Sequence, residues 1–276
     1  MAITMAKQLI TGLQDGEVAG YVLLCGEPER VPRIASTLSG SKKVRQVREY
    51  TVYEGTLDGT RVTVASTGIG GPSTAVLIEE LTNLGAHTFI RIGTSGGIAD
   101  GLEKGDFVIA TGAIRADGTS RSYTWPEFPA LAHHEVTMAL VDSAVRSSHK
   151  FEVGVSFSVD GFYSENKVLK DGKVAPMSQS GYMPSFMTGR LADVKAMGAM
   201  NIEMENGTIF TLSTLMGLRA GAICTISDVV PWHPTDKIID FEENILDCIK
   251  VGVEGMRTLI SWDRSRTGGH LAVSGL

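Results

Sequence analysis

Four runs in this chain are apolar on nearly every residue: YVLLC (21–25), AHTFIRIG (86–93), GDFVIATGAI (105–114) and RAGAICTISDVV (219–230). A strand that is apolar on both faces has no side to turn to water, so it belongs in a sheet covered above and below. RVTVAST (61–67) and EVGVSFSV (152–159) add two further strands. Between them lie stretches with helical spacing: EPERVPRIASTL (27–38), STAVLIEELTNLG (73–85) with Ser73 as N-cap and Gly85 as stop, and HHEVTMALVDSAVRSS (133–148). Three more follow, at 190–198, at ENGTIFTLSTLMG (205–217) ended by Gly217, and at FEENILDCIKVGVEGMRTLI (241–260). Strands alternating with helices predict an α/β fold, a single-domain α/β/α sandwich around a central mixed, largely parallel sheet. Residues 1–262 read as that domain, 163–188 as a long Gly-, Lys- and Ser-containing loop, and 263–276 as a flexible tail.

Composition narrows the function classes. With 43% hydrophobic and 20% charged residues the chain is neither disordered nor membrane-like. Its apolar runs break well short of a span of about 20 residues, and MAITMAKQLITG lacks the apolar core of a signal peptide, so a cytoplasmic location is expected. A net charge of −6 offers no field for nucleic acid or an anionic membrane, so any anion site must be local. The three cysteines, Cys25, Cys224 and Cys248, are widely spaced and read as buried thiols, two in strands and one in a helix. No Cys or His pair has zinc-ligand spacing, and HHE (133–135) reads as a solvated helix cap.

Arg91 stands out because it lies between Ile90 and Ile92 at the end of a buried strand. A buried guanidinium needs an anion, either a carboxylate of the chain or a ligand. Ligand sites in open α/β sheets gather where strands run out into loops, and CGEPER, STGIGGPS, RIGTSGG and TISDVV are four such exits. Gly26 with Arg30, and Gly93 to Gly97 with Arg91, Thr94 and Ser95, form two glycine-plus-arginine corners suited to phosphate. GIGGPS is no dinucleotide fingerprint, since Ser73 replaces the third glycine, which argues against a dehydrogenase. In NIEMEN (201–206), Glu203 and Glu205 flank Met204, a pattern that can grip sugar hydroxyls against an adaptable apolar wall or simply open an exposed helix. Asp228 follows an apolar strand and reads either as a proton donor raised by burial or as a local cap.

GEPER, REY, STGIGGPS, FIRIGTSGG, FPA, FY and NIEMEN occur in the order and spacing of the nucleoside phosphorylase family, and the chain to about residue 260 resembles it, most closely its uridine phosphorylase branch. The resemblance implies phosphate-dependent cleavage of a nucleoside to ribose 1-phosphate and free base. It implies phosphate bound by Gly26, Arg30, Arg91 and Thr94, with Arg48 reaching in from a neighbouring subunit of a homodimer or hexamer. Thr94, Glu203, Met204 and Glu205 would hold the ribose, with Gln8 standing where the family has a His from the neighbour. Ser95, Gly96 and Phe162 would face the base, and Arg91, Glu205 and Asp228 would carry catalysis. The base-reading Gln and Arg of uridine phosphorylases fall on Asn166 and Val168 without gaps, or on Gln179 and Gly181 with an insertion. Asp228, by contrast, matches the acid of bacterial purine nucleoside phosphorylases. Phosphate is the co-substrate and no cofactor is required, while Glu49, Ile69 and Ser73 match a monovalent cation site (K+ or Na+). A hydrolytic nucleosidase is a lesser alternative because it does not need the arginines, and a non-catalytic nucleoside-binding protein is another.

Overall fold

The computed structural model describes residues 7–232 and 241–266, with the side chains of 241–244 left aside. In chain order the elements are β1 (Tyr21–Cys25), α1 (Val31–Ala35), β2 (Ser39–Val47), β3 (Tyr50–Leu57), β4 (Thr60–Ser66), α2 (Gly71–Asn83), β5 (Thr88–Gly97) and β6 (Phe107–Arg115). Next come α3 (Gly118–Tyr123), β7 (Ala130–Leu131), α4 (His134–Ser147), β8 (Phe151–Ser158), α5 (Phe162–Glu165), β9 (Lys167–Lys170) and β10 (Lys173–Pro176). The last are α6 (Arg190–Ala196), β11 (Ala199–Glu203), α7 (Asn206–Leu215), β12 (Arg219–Val229) and α8 (Phe241–Arg264).

The main sheet runs β11-β8-β6-β12-β5-β1-β4-β3-β2, with β7 beside β6. Pairing is parallel for β4-β1-β5-β12 and for β6-β8-β11, and antiparallel where β12 meets β6 and along β2-β3-β4. β11 also pairs antiparallel with the end of β5, through Asn201 with Gly97 and Ile202 with Gly96. That closure curls one side of the sheet and brings the exits of β5, β11 and β12 to one place.

Two apolar layers cover the sheet. Ile90, Ile92, Ile109 and Ile223 pack with Val136 and Leu140 of α4 and with Ile249 and Met256 of α8. Val22, Leu24 and Phe89 pack with Leu77 and Leu81 of α2 and with Ile209 and Phe210 of α7. Side chains alternate along a strand, so Arg91 shares the side of Phe89 while its neighbours fill the opposite layer.

Several expectations change. Helix α2 starts at Gly71 with Gly70 as N-cap, and Ser73 turns its hydroxyl back to the carbonyls of Ile69 and Gly70. The loop 163–188 contains the hairpin β9-β10, which the Lys-rich sequence hides. Helix α8 continues to Arg264, past the domain end expected at 262. Asp263 joins a network with Arg219, Glu135, Arg266 and Tyr21, so of HHE His133 is the N-cap of α4 and His134 is exposed, while Glu135 is a buried ion-pair partner. The rest of the expected tail, 267–276, lies outside the described residues. Among the described residues no helix is long and apolar enough to cross a membrane.

Candidate active site

A cavity of about 450 Å³ opens at the meeting of the β1, β5, β11 and β12 exits. The backbone decides what can enter it. An ideal Cβ on Gly93 would lie 2.3 Å from Arg91 Nη1, so only glycine lets the guanidinium lie over the strand. On Gly96 a Cβ would press on Val230 and Ile202 and come within 3.1 Å of Asp228 Oδ2. Thus the glycines of RIGTSGG make room for side chains of the site as well as for a ligand.

Arg91 settles which anion it meets within the chain. Its Nη2 donates to Glu205, its Nη1 lies 3.7 Å from Glu203 Oε2, and Nη1 also contacts Cys224 Sγ at 2.8 Å. Burial opposes the charge, but the facing Cys224, Glu205 and Glu203 outweigh it and hold the guanidinium above the ordinary arginine pKa. Its Nε is buried without a hydrogen-bond partner among the described residues. Arg30 is equally buried; it donates to the Ile92 carbonyl and, at 2.7 Å, to the exposed carboxylate of Glu27.

Glu203 and Glu205 are 4% and 5% exposed, which removes the reading of NIEMEN as a solvated helix start. Glu203 Oε2 accepts the backbone N–H groups of Glu205 and Asn206 at 2.8 Å and so caps α7 in place of the usual Ser or Asp. Its other oxygen, Oε1, is buried with no partner among the described residues. Burial raises the Glu203 carboxyl above the usual range, against the pull of Arg91. Glu205 Oε1 accepts the Gly70 N–H at 2.6 Å, which ties the β4–α2 turn to this floor. A buried, unsatisfied carboxylate oxygen beside a second carboxylate is suited to a ligand that brings hydroxyl donors.

A second side of the cavity is walled by α5 and by the segment after β12. Phe162 and Tyr163 sit on α5, whose last carbonyls are met by Asn166 Nδ2 (to Phe162, 3.1 Å) and by the buried Lys167 Nζ (to Ser164, 2.5 Å). Desolvation lowers the Lys167 pKa. Arg190 pairs with Glu165 at 2.6 Å and lies over the Phe157 ring, fastening α5 to the sheet. Trp232 packs edge-on to Phe162 and donates its indole N–H to Asp228, which is half-buried and lies in the cavity wall.

Of the residues singled out by sequence, Gly26, Arg30, Ile69, Arg91, Thr94, Ser95, Gly96, Phe162, Glu203, Met204, Glu205 and Asp228 line this one cavity. Gln179 does not: it is exposed in a turn, and Asn166 stands in the wall in its place. Val168 is spent on the β9-β10 hairpin. Gln8 lies away from the cavity, buried against Asn83, and Arg48 is exposed in the β2–β3 turn with a positive φ of 52°. Glu49 and Ser73 also lie outside the lining but face each other across Gly68, whose Cβ would come 2.7 Å from Glu49 Cγ and 3.2 Å from Ser73 Oγ. Sequence reasoning missed Glu27, Tyr163, Ser227 and Trp232 as lining residues. Glu27 and Ser227 adjoin singled-out residues, and Trp232 is an aromatic just past a strand exit, which was the available signal.

A buried arginine pair, a carboxylate floor and an aromatic wall thus meet at the exits of a mixed sheet, chemistry suited to an anion together with a polyhydroxylated, ring-bearing ligand. The chain belongs to the phosphorylase superfamily, whose sequence profile matches residues 21–254. It is 39% identical to the uridine phosphorylase of Thermococcus kodakarensis over 92% of this chain and 87% of that protein. It is 36% identical to the Escherichia coli uridine phosphorylase over 90% and 96%, and 38% identical to the guanosine phosphorylase of Halorubrum lacusprofundi over 80% and 83%. The family resemblance expected from the motifs and the α/β fold are both borne out.

Proposed function

We propose that the protein is a nucleoside phosphorylase acting on uridine: phosphate displaces the base at the anomeric carbon, giving ribose 1-phosphate and uracil. The observation that carries this reading is the convergence of Arg30, Arg91 and Thr94 with Glu203, Met204 and Glu205 in one cavity, in a chain whose relatives include several uridine phosphorylases. Phosphate occupies the Gly26, Arg30, Arg91 and Thr94 corner. Glu203 and Glu205 accept the ribose hydroxyls against Met204, and Phe162 stacks on the base beside Ser95 and Gly96. Bond breaking leaves an oxocarbenium-like sugar between the phosphate dianion and the carboxylates, so positioning and preorganised charge supply most of the acceleration.

The lining holds four carboxylates, Glu27, Glu203, Glu205 and Asp228, against two arginines. A dianion there calls for a further cation, which supports the role of Arg48 from a neighbouring subunit in a dimer or hexamer. Gln8 would serve the neighbour's ribose in the same way. The carboxylate of Glu49, the Ser73 hydroxyl and the Ile69 carbonyl form an oxygen-only set with one charge, which suits K+ or Na+ at such an interface. No other cofactor is required, and the expected setting is the cytoplasm.

A second reading, a purine nucleoside phosphorylase, is favoured by one observation: Asp228 lies in the wall at the base side. Base release from uridine, thymidine, inosine and guanosine, each with and without phosphate, tests both. Turnover of uridine only with phosphate is expected; turnover confined to the purines overturns the uridine assignment.

A further inference from the structure

Cys224 stands apart from the other two cysteines. Cys25 and Cys248 pack in the apolar layer of α4 and α8. Cys224 faces the opposite side of the sheet, two residues on from Ala222, which packs with Phe89 in the other layer. In register with β5, Ala222 stands beside Arg91 and Cys224 beside Gly93. The guanidinium of Arg91 folds forward over Gly93, where a Cβ would lie 2.3 Å from Nη1, and so comes against the buried thiol. Nη1 lies 2.8 Å from Cys224 Sγ.

A guanidinium carries five N–H donors in a fixed fork. Nη2 of Arg91 goes to Glu205. Glu203 stands off from Nη1 at 3.7 Å, and its Oε2 is already spent on the backbone N–H groups of Glu205 and Asn206. The acceptor at Nη1 is therefore the sulfur. Glu205 and Cys224 together give the fork two anchors, which fix its tilt as well as its place. Sulfur is a weak acceptor, and burial raises the Cys224 thiol above its ordinary pKa, so it meets the arginine uncharged. That matters in a cavity whose lining already sets four carboxylates against two arginines. A carboxylate at position 224 would hold Arg91 harder and spend the charge that an incoming anion needs. An aliphatic side chain there would leave a charged donor buried without its partner.

We propose that Cys224 is a positioning residue for the anion subsite: its thiol orients the Arg91 guanidinium toward the corner of Gly26, Arg30 and Thr94 without neutralising it. The inference rests on the assignment of that corner to phosphate. Cys224 is not among the residues that line the cavity, so it acts through Arg91 alone. Glu205 keeps a second anchor in the Gly70 N–H, so the carboxylate floor stays in place when Arg91 shifts. Changes at position 224 thus move the affinity for phosphate and spare that for the nucleoside.

The test titrates inorganic phosphate calorimetrically into the wild type, C224S, C224A and C224V, and measures in the same proteins the KM for phosphate and for uridine, or for inosine where uridine is not turned over. Serine keeps an acceptor, alanine removes acceptor and volume together, and valine fills the space without an acceptor. The Kd and KM for phosphate should rise about 10-fold in C224A and C224V, the low end for a hydrogen bond to a charged group. In C224S they should stay within roughly three-fold of wild type, because the hydroxyl still accepts. The nucleoside KM should hold in all three. A packing role gives the opposite order, with C224V near wild type and C224S impaired like C224A in step with its urea midpoint. That order, an unchanged phosphate affinity in C224A and C224V, or equal rises in both KM values would each overturn the proposal. Should C224V fail to fold, the contrast of C224S with C224A decides, since both side chains are smaller than cysteine and only one accepts. Base release indifferent to phosphate, in a protein whose phosphate Kd still follows the acceptor, refutes the phosphorolytic reading alone; a wild type that binds no phosphate overturns both.

Discussion

Replacing Gly93 by Ala perturbs the site through one methyl group. The added Cβ would stand 2.3 Å from Arg91 Nη1 and 2.6 Å from Cζ, whereas ordinary contact begins at 3.4 Å. Because the obstacle is the far end of a flexible side chain, the strand stays and the guanidinium retreats by about 1 Å. It then loses its alignment with Glu205 and Cys224 and with the corner proposed for phosphate. A misplacement of about 1 Å in a positioning group costs on the order of 100-fold in rate, or about 2.7 kcal/mol of activation free energy. Overpacking of this kind lowers stability by about 1–3 kcal/mol. Steady-state phosphorolysis should therefore show a steep rise in the phosphate requirement and a fall in kcat, with a urea midpoint that moves only modestly. G97A is the milder comparison, since its Cβ comes 3.3 Å from Ile226 Cγ2 and asks that side chain to give by only a few tenths of an ångström. A G93A enzyme with phosphate KM and kcat within two-fold of wild type would refute the claim that Gly93 exists to seat Arg91.

Three further outcomes are expected. Asp263 is held down to about 2 by hydrogen bonds and charge from Arg219, Tyr21 and Arg266, against the desolvation that opposes it. Its folded pKa lies below the unfolded value, so its stabilisation of about 2 kcal/mol is present above pH ~4 and lost as pH falls towards 2. Urea titrations of D263N against wild type should show that deficit at pH 7 and a narrowing gap between pH 4 and 2.5; a constant gap would contradict it. Mixing inactive R48A with inactive R91A protein, followed by subunit exchange, should restore activity if Arg48 serves a neighbour's site, and no recovery in verified mixed oligomers would count against that role. Thermal stability should rise in K+ relative to tetramethylammonium in wild type and not in E49Q, and an equal rise in both would remove Glu49 from the cation site.

The layers were legible because buried strands and amphipathic helices leave different periodicities, and the arginine and carboxylate corners of the cavity because their residues are contiguous in GEPER, RIGTSGG and NIEMEN. The hairpin β2-β3 was not, since SGSKKVRQV is exposed and charged and its strand character comes from pairing. Antiparallel closure of β11 onto β5, which brings NIEMEN against RIGTSGG, is a tertiary fact with no local signature. The aromatic wall was the least readable part. Asn166 and Trp232 meet Asp228 and Phe162 only because β9 pairs with the segment after β12, and the eye is drawn instead to Gln179, which that hairpin leaves exposed.

The most direct measurement is a phosphorus NMR record of purified protein incubated with uridine and inorganic phosphate. Uracil should appear in step with one equivalent of ribose 1-phosphate and stop when phosphate is withdrawn. Uracil released with free ribose, at a rate indifferent to phosphate, would contradict the account of Arg30 and Arg91 as the seat of the attacking anion.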